Sequence, residues 1–229
     1  MTLLLFALMA VAACQTLPPP EDVSVLAEPA DAGAGVPSTA PRFVVDPQAS
    51  EIRLLVYREG PLARFGHNHV IVGHVRGDIH AGDAAGKSGF QLEIPVDSFE
   101  VDPPTARAEE GAEFAAEVSE QARTATRENM LGAEVLDAAS HPFIRVESVA
   151  LVGPRWNPTV TARVTLRGAT RALRFPAAVF QQDDTLAVIA TFGISQTHFG
   201  VQPFSVLGGG LQVRDTLDVR IRLVAHRAH

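Results

Sequence analysis

From Phe43 onward, apolar and polar residues alternate along the chain with a period of two. Because successive side chains of a strand point to opposite faces of a sheet, this alternation predicts β-strands with one buried face. Glycine, proline and aspartate fill the gaps between them, as is typical of turns. The predicted strands begin near Phe43 and continue at 51–58, 69–75, 90–96, 143–152, 159–166, 173–180, 186–194 and 211–223.

One stretch, residues 105–130, breaks this pattern. It is rich in alanine, glutamate, glutamine and arginine, which favour helices. Phe114, Val118, Ala122 and Ala125 fall at helical spacing on one face. We therefore expect a single helix inserted in a chain of strands.

Strands with one apolar face must enclose a common interior. Closure of the sheet also removes the exposed edges that a flat sheet would leave. The pattern therefore predicts a mainly β fold, a single antiparallel barrel of roughly eight strands, although a two-sheet sandwich satisfies the same requirement. Eight strands leave an interior just wide enough for side chains or one slender ligand.

The N-terminus carries an apolar run, residues 3–13, that ends at Cys14. The run is shorter than the ~20 residues that span a bilayer, so it is typical of a secretory signal. Val11-Ala12-Ala13-Cys14 matches the lipobox of bacterial lipoproteins, which predicts a signal peptide over 1–14 with lipid attached to Cys14. An ordinary signal peptide or a short uncleaved anchor are the alternatives, since residues 1–13 contain no lysine or arginine.

Residues 15–42 contain six prolines among alanine, glycine and acidic residues. Such a composition buries too little apolar surface to order itself, so we expect a spacer between the anchor and a domain over 43–226. Gln15, rather than aspartate, follows the cysteine. By analogy with lipoprotein sorting, this favours the bacterial cell envelope at the periplasmic face of the outer membrane.

Charge and cysteine content narrow the function further. The net charge of −7, without a basic block, argues against nucleic-acid binding, which needs clustered cations. With Cys14 as the sole cysteine, no disulfide can form within the chain. The oligomeric state stays open, with a homodimer as one option.

The order of several short motifs resembles the YceI-like family of bacterial lipid- or polyisoprenoid-binding proteins. The matching stretches are Phe43-Val44-Val45-Asp46 with Ser50-Glu51-Ile52, the glycine–histidine stretch 60–69, Pro142-Phe143-Ile144-Arg145-Val146-Glu147-Ser148, Leu166-Arg167-Gly168-Ala169-Thr170-Arg171, Phe192-Gly193-Ile194, and Val213-x-Asp215-x-Leu217-x-Val219. The stretch 127–131 departs from the family, because Met130 stands where the common Arg-Asp-x-His-Leu pattern has histidine.

This resemblance implies an extended lipocalin-like barrel that holds a long apolar chain in its lumen. Our leading hypothesis is carriage of an isoprenoid-like or fatty amphiphile without chemical change, with that lipid as the only bound group. No nucleophile motif argues for an enzyme. A structural envelope module with a filled barrel is a further alternative. Strand parity predicts the lumen residues Ile71, Phe90, Leu92, Ile94, Val164, Leu166 and Phe192.

His67 and His69 share one parity, so both are expected on one face near the barrel rim. They can be structural, contact a polar lipid headgroup, or form half of a metal site. For a periplasmic metal- or haem-binding protein, His198 is the best third ligand. Asp215 occupies an apolar parity of the last strand, which predicts either a paired structural carboxylate or a headgroup contact.

Overall fold

The computed structural model describes residues 23–26 and 39–228. The predicted signal peptide, Cys14 and most of the predicted spacer lie outside these residues. Within the described ranges, neither α-helix is long and apolar enough to cross a bilayer.

The described residues form sixteen strands and two α-helices. The strands are β1 (Ser24–Leu26), β2 (Arg42–Val45), β3 (Glu51–Val56), β4 (Arg58–Glu59), β5 (His69–His74), β6 (Arg76–His80), β7 (Gly89–Pro95), β8 (Glu100–Val101), β9 (Phe143–Val152), β10 (Thr159–Leu166), β11 (Ala169–Pro176), β12 (Ala178–Gln182), β13 (Thr185–Ser195), β14 (Ser205–Val206), β15 (Leu211–Val213) and β16 (Thr216–Arg227). The helices are α1 (Pro104–Ala108) and α2 (Glu120–Leu131).

Thirteen of the strands belong to one antiparallel sheet. Its order is β1-β11-β10-β9-β7-β6-β2-β16-β3-β5-β8, and β16 also pairs with β13, which pairs with β12. The remaining strands form a small sheet in the order β14-β15-β4. One predicted strand, 173–180, is bent and spans the end of β11 and the start of β12. The predicted strand 69–75 corresponds to β5 alone, and β6 was not predicted.

β11 and β13 are not hydrogen-bonded directly to each other, so the barrel has a seam between them. Two other contacts bridge this seam. β11 continues through Ala177 into β12, which pairs with β13. In addition, β1 pairs with β11, and the Val23 N–H donates to Gly193 O of β13 at 3.3 Å. The fold is thus mainly β and antiparallel, a lipocalin-like barrel, as predicted.

β10 and β11 are joined by a tight two-residue turn that falls within one of the motifs noted in the sequence. Leu166 pairs with Ala169, and only Arg167 and Gly168 lie between them. Both residues have positive φ, 51° and 74°, as a type I′ hairpin turn requires. This turn contains the glycine of the Leu-x-Gly-x-Thr motif.

The prediction of a single helix over 105–130 is wrong. The stretch splits into α1, a 3₁₀ turn at Ala112–Phe114, and α2. α1 ends at Ala108, and Gly111, which is extended (φ −69°, ψ −177°), precedes the 3₁₀ turn. Ser119 begins α2, because its hydroxyl accepts a hydrogen bond from Ala122 N–H at 3.3 Å.

The last predicted strand, 211–223, is also interrupted. The chain bends at Arg214 and Asp215, so β15 joins the small sheet while β16 joins the barrel. The Arg214 N–H donates to Tyr57 O at 2.8 Å, and this bond holds the bend against the end of β3.

Within the predicted spacer, residues 24–26 form β1, so the expectation of an unordered chain does not hold for them. The reason is available on the sheet, because the edge of β11 at the seam has unpaired backbone groups that an additional strand can satisfy. β2 begins at Arg42, one residue before the predicted domain boundary.

Candidate functional site

The barrel interior is not solid. It contains a wide cavity of about 210 Å³, a middle cavity of about 140 Å³ and a far cavity of about 100 Å³. The wide and middle cavities share five lining residues, and the middle and far cavities share Leu92, Val146, Phe175 and Ile221. The three therefore adjoin one another along the interior, and we call them the cavity row.

The polarity of the cavity row changes along its length. The wide cavity has several polar side chains on its wall: Tyr57, Arg58, His67, His69, Thr126, Asn129, Gln196 and Gln212. In the described part of the chain, Gln196 is the single polar residue that lines the middle cavity. The far cavity is apolar except for Ser88, Arg155 and Gln181. Polar side chains are therefore concentrated at the wide cavity.

All seven residues predicted for the lumen line the cavity row. Ile71 lines the wide cavity, Phe90 and Leu92 line the far cavity, and the middle cavity is lined by Leu92, Ile94, Val164, Leu166 and Phe192. Ile71, Ile94 and Phe192 are buried, whereas Phe90, Leu92, Val164 and Leu166 are half-buried although they face inward. That these residues contact a lipid stays a prediction.

Strand pairing explains this alignment. Leu92 of β7 lies opposite Val146 of β9, and Ile94 lies opposite Ile144. Cross-strand partners present their side chains on the same face, so the apolar stripes of both strands meet on the inner surface. Phe175 and Phe192 close the seam between β11 and β13, with their rings stacked at a centroid distance of 4.3 Å.

His69 is held by a carboxylate that the sequence pattern did not indicate. Its Nδ1 lies 2.7 Å from Oδ2 of Asp102, which is fully buried. The other carboxylate oxygen accepts from Val70 N–H at 2.8 Å and from the Arg107 guanidinium at 2.5 Å. Because a carboxylate only accepts, Nδ1 of His69 is the donor, and Nε2 is the ring nitrogen that Asp102 does not engage.

The environment of Asp102 keeps it ionised. Burial alone would raise the pKa of Asp102, but the hydrogen bonds from His69 and Val70, together with Arg107, hold the pKa below its ordinary value. Arg107 also donates to three backbone carbonyl oxygens, those of Asn68, Phe114 and Ala116. Asp102 and Arg107 together therefore connect β5, the segment after β8 and the 3₁₀ turn Ala112–Phe114 beside the wide cavity.

The three-histidine metal site is not formed. His67 and His69 do line the same cavity, but exposed His198 lies in the 3₁₀ turn Gln196–Phe199 and does not line it. Within 23–26 and 39–228, no three His, Cys, Asp or Glu side chains are placed to hold a metal ion. His67 precedes β5 and is exposed, so only His69 is fixed in the barrel wall.

Asp215 has the paired structural role. Its two carboxylate oxygens accept from Thr197 N–H at 2.9 Å and from the Thr197 hydroxyl at 2.8 Å. Asp215 does not line the wide cavity, so the headgroup alternative has no support. The bend at this residue removes it from the strand parity on which that expectation depended.

Tyr57 and α2 complete the wall of the wide cavity. The Tyr57 hydroxyl donates to buried Asp218 at 2.8 Å. Burial, followed by this carboxylate, raises the pKa of Tyr57 well above its usual range, so the phenol stays neutral. From α2 come Thr126, Asn129 and Met130. Met130 is buried and gives this part of the wall an apolar surface.

Comparison with known sequences now identifies the family. The model of the family described as YceI-like domain matches residues 43–225. The chain belongs to the YceI-like family. The motifs that suggested this assignment all lie within that range. No curated protein matches the chain.

Solved structures share the YceI-like fold at low sequence identity. BcnA of Burkholderia cenocepacia has a TM-score of 0.55 at 17% identity, with 79% of this chain and 98% of that chain covered. A polyisoprenoid binding domain from Saccharophagus degradans, described as implicated in plant cell wall breakdown, has a TM-score of 0.54 at 14% identity, over 81% and 98%. At these identities the likeness establishes the fold alone.

Proposed function

We propose that this chain carries one amphiphilic lipid, an isoprenoid or fatty chain, without altering it. The tail occupies the middle and far cavities, and the polar end lies in the wide cavity. The observation that carries this proposal is the cavity row, which runs from a partly polar mouth into an almost wholly apolar interior. The polyisoprenoid-binding description of one structural relative agrees with it.

Apolar burial alone can supply the affinity. An apolar cavity of roughly 150 Å³ stays dry and accepts a benzene-sized molecule, and the middle and far cavities are of this order. Each buried methylene contributes about 0.8 kcal/mol. Roughly ten methylenes would therefore contribute about 8 kcal/mol, the free energy of micromolar binding. The cost of ordering the lipid chain has still to be subtracted from this value.

The wide cavity offers binding groups for a polar end. Arg58, His67 and Gln212 can donate hydrogen bonds to a hydroxyl or phosphate oxygen. These groups support binding of the polar end of a lipid there.

The N-terminal part of the proposal rests on sequence. We place the carrier at the periplasmic face of the outer membrane, held there by lipid on Cys14. Metabolic labelling with a tritiated fatty acid tests this: the wild type incorporates label and the Cys14→Ala variant does not. Equal labelling of the two proteins would contradict lipid attachment at Cys14 and would not bear on the ligand proposed for the barrel.

Native mass spectrometry of protein purified from a membrane-containing bacterial host tests carriage itself. We expect a lipid-sized mass on the wild type and its loss in Val146→Phe, because that ring fills the junction between the middle and far cavities. Val152→Phe is the matched control, since Val152 lies on the same strand but is 61% exposed. Protein that never retains lipid, or retains it equally in all three forms, would contradict carriage.

A further inference from the structure

The small sheet β14-β15-β4 and its turns, residues 58–67 and 204–214, form a projection beside the wide cavity that we call the flap. Leu62 N–H donates to Gly210 O at 2.7 Å, which joins its two turns. Gln212 pairs with Glu59 across the sheet, and the two side chains are also hydrogen-bonded at 2.6 Å. The flap is therefore one connected unit, and it supplies part of the wall of the wide cavity.

The flap exposes four large apolar side chains to the outside. Leu207 is 75% exposed, Phe65 67%, Phe204 43% and Val206 36%. Phe204 and Val206 also line the wide cavity, so the exposed apolar surface is continuous with its mouth. Contiguous apolar surface of this kind marks a contact with a protein, a ligand or a membrane.

The backbone holds the tip of the flap in a costly conformation. Leu207 has φ 55°, which is unfavourable for a leucine, and Gly208 and Gly209 follow at 65° and 90°. Strain of this kind persists where the surrounding structure imposes it, often at functional sites. Here it presents a leucine side chain to the outside.

Charge distinguishes the flap from the rest of the molecule. It carries Arg58, Arg64 and Arg214 against one acidic residue, Glu59, in a chain of net charge −7. Arg64 is exposed, whereas Arg58 donates to Gly66 O and Arg214 lies over the Tyr57 ring, 3.8 Å from Asp218. The Arg64 guanidinium lies 4.5 Å from the centroid of the Phe65 ring. An apolar surface flanked by arginines is the composition that inserts into the interface of an anionic bilayer.

A second exposed apolar area has balanced charges. Trp156 is 68% exposed and Phe180 is 60% exposed. Phe180 is followed closely by Asp183 and Asp184, but Arg155 precedes Trp156 and Arg227 pairs with Asp184 at 2.7 Å. This area lies beside the far cavity. It therefore serves as an internal comparison of similar exposure without an excess of cations.

We propose that the flap docks onto a lipid bilayer with anionic headgroups and brings the mouth of the wide cavity against the membrane. This inference rests on the proposed carriage, because it gives the lipid a path between bilayer and cavity that avoids water. Phe65 and Leu207 enter the acyl boundary, while the exposed Arg64 contacts lipid phosphates.

Depth-dependent fluorescence quenching tests whether the flap docks onto a bilayer. The protein used is the full chain, purified after export, with or without lipid on Cys14. The wild type has one tryptophan, Trp156, which reports on the far end. The double variant Trp156→Phe, Phe65→Trp moves that reporter to the flap. Both are added to vesicles of equal parts phosphatidylglycerol and phosphatidylcholine that contain doxyl-labelled lipid.

We expect the flap reporter to be quenched at least about twofold more than Trp156, and less strongly at high salt. Adding Leu207→Asn to the reporter variant should reduce its quenching, since asparagine tolerates the positive φ but removes the apolar tip. Equal quenching of the two reporters would overturn docking. A dimer in sedimentation that shields the flap reporter without vesicles would also overturn it.

Failure of docking and failure of carriage give different results. Protein that retains lipid in native mass spectrometry while its flap reporter stays unquenched keeps the carrier proposal and rejects docking. Protein whose flap reporter enters vesicles while no lipid is ever retained rejects the carrier proposal and leaves a membrane-binding domain.

Discussion

At the scale of single residues, Asp102 does most to position the polar end of the site. It is fully buried, has φ 53°, and joins His69, the Val70 backbone and Arg107. A buried carboxylate is stable only when its partners satisfy it. The geometry of the wide cavity at His69 therefore depends on a charged residue that does not itself line the cavity.

Replacing Asp102 by asparagine should lower the free energy of unfolding at neutral pH by about 3 kcal/mol, because Arg107 would be left unpaired. The pKa of Asp102 is depressed in the folded state, so its contribution is present above the ordinary aspartate pKa of about 3.9. It is lost as the pH falls through the folded value. Urea unfolding across this range should show the difference between variant and wild type shrinking in acid.

Asp183→Asn is the control, because Asp183 also has positive φ (50°) but is exposed. It should unfold like the wild type at every pH. A deficit in Asp102→Asn that stays constant down to acid pH would contradict the role given to the charge.

Single residues also show where sequence patterns fail. Asp102 was not identified, because nothing in Val101-Asp102-Pro103 points to a histidine 33 positions earlier. Strand parity predicts that Asp215 faces the apolar side of the last strand. The chain bends at Asp215, so this residue is not part of a strand and parity does not apply to it. His67 and His69 both line the wide cavity, but His67 precedes β5 and so lies outside the strand whose parity was the basis for the prediction.

At the scale of elements, period two predicted the barrel strands and helix propensity did not predict the α1–α2 region. A strand that lines the lumen has an apolar residue at every second position. Ile94, Val164 and Phe192 occupy such positions and line the middle cavity. The 105–130 stretch has good helix formers throughout, but its course is set by contacts with β5 and β8. Val118, predicted on the helix face, is buried outside any helix, and Ala125 is exposed.

α2 is held against the barrel by Arg127, which donates to Phe99 O at 3.0 Å and to Asp97 O at 2.7 Å. Arg127→Gln should loosen this wall of the wide cavity and cost about 1–2 kcal/mol of stability. Hydrogen exchange should speed up in residues 120–131, and a fluorescent fatty acid should leave faster. Glu128→Gln, an exposed change on the same helix, should alter neither rate; equal effects of the two would rule out this role of Arg127.

At the scale of the whole molecule, the cavity row is the feature that local patterns could not reveal. Alternation predicts which residues face inward, but the space between them depends on how far apart β7, β9, β13 and β16 lie once the sheet curves. The structure leaves room in all three places, and this argues against a barrel filled by its own side chains. The flap and the exposed Trp156 area then mark two chemically different ends.

Photo-crosslinking decides whether one lipid runs along this whole row. A long-chain prenol with a diazirine at its tail end is bound, irradiated and mapped by peptide mass spectrometry, with unlabelled prenol as competitor. We expect competed adducts on far-cavity residues such as Phe90, Leu186 and Val188, and adducts near Thr126 and Asn129 when the diazirine is at the hydroxyl end. Tail-end adducts found only at the wide cavity or on the outer surface would contradict carriage inside the barrel.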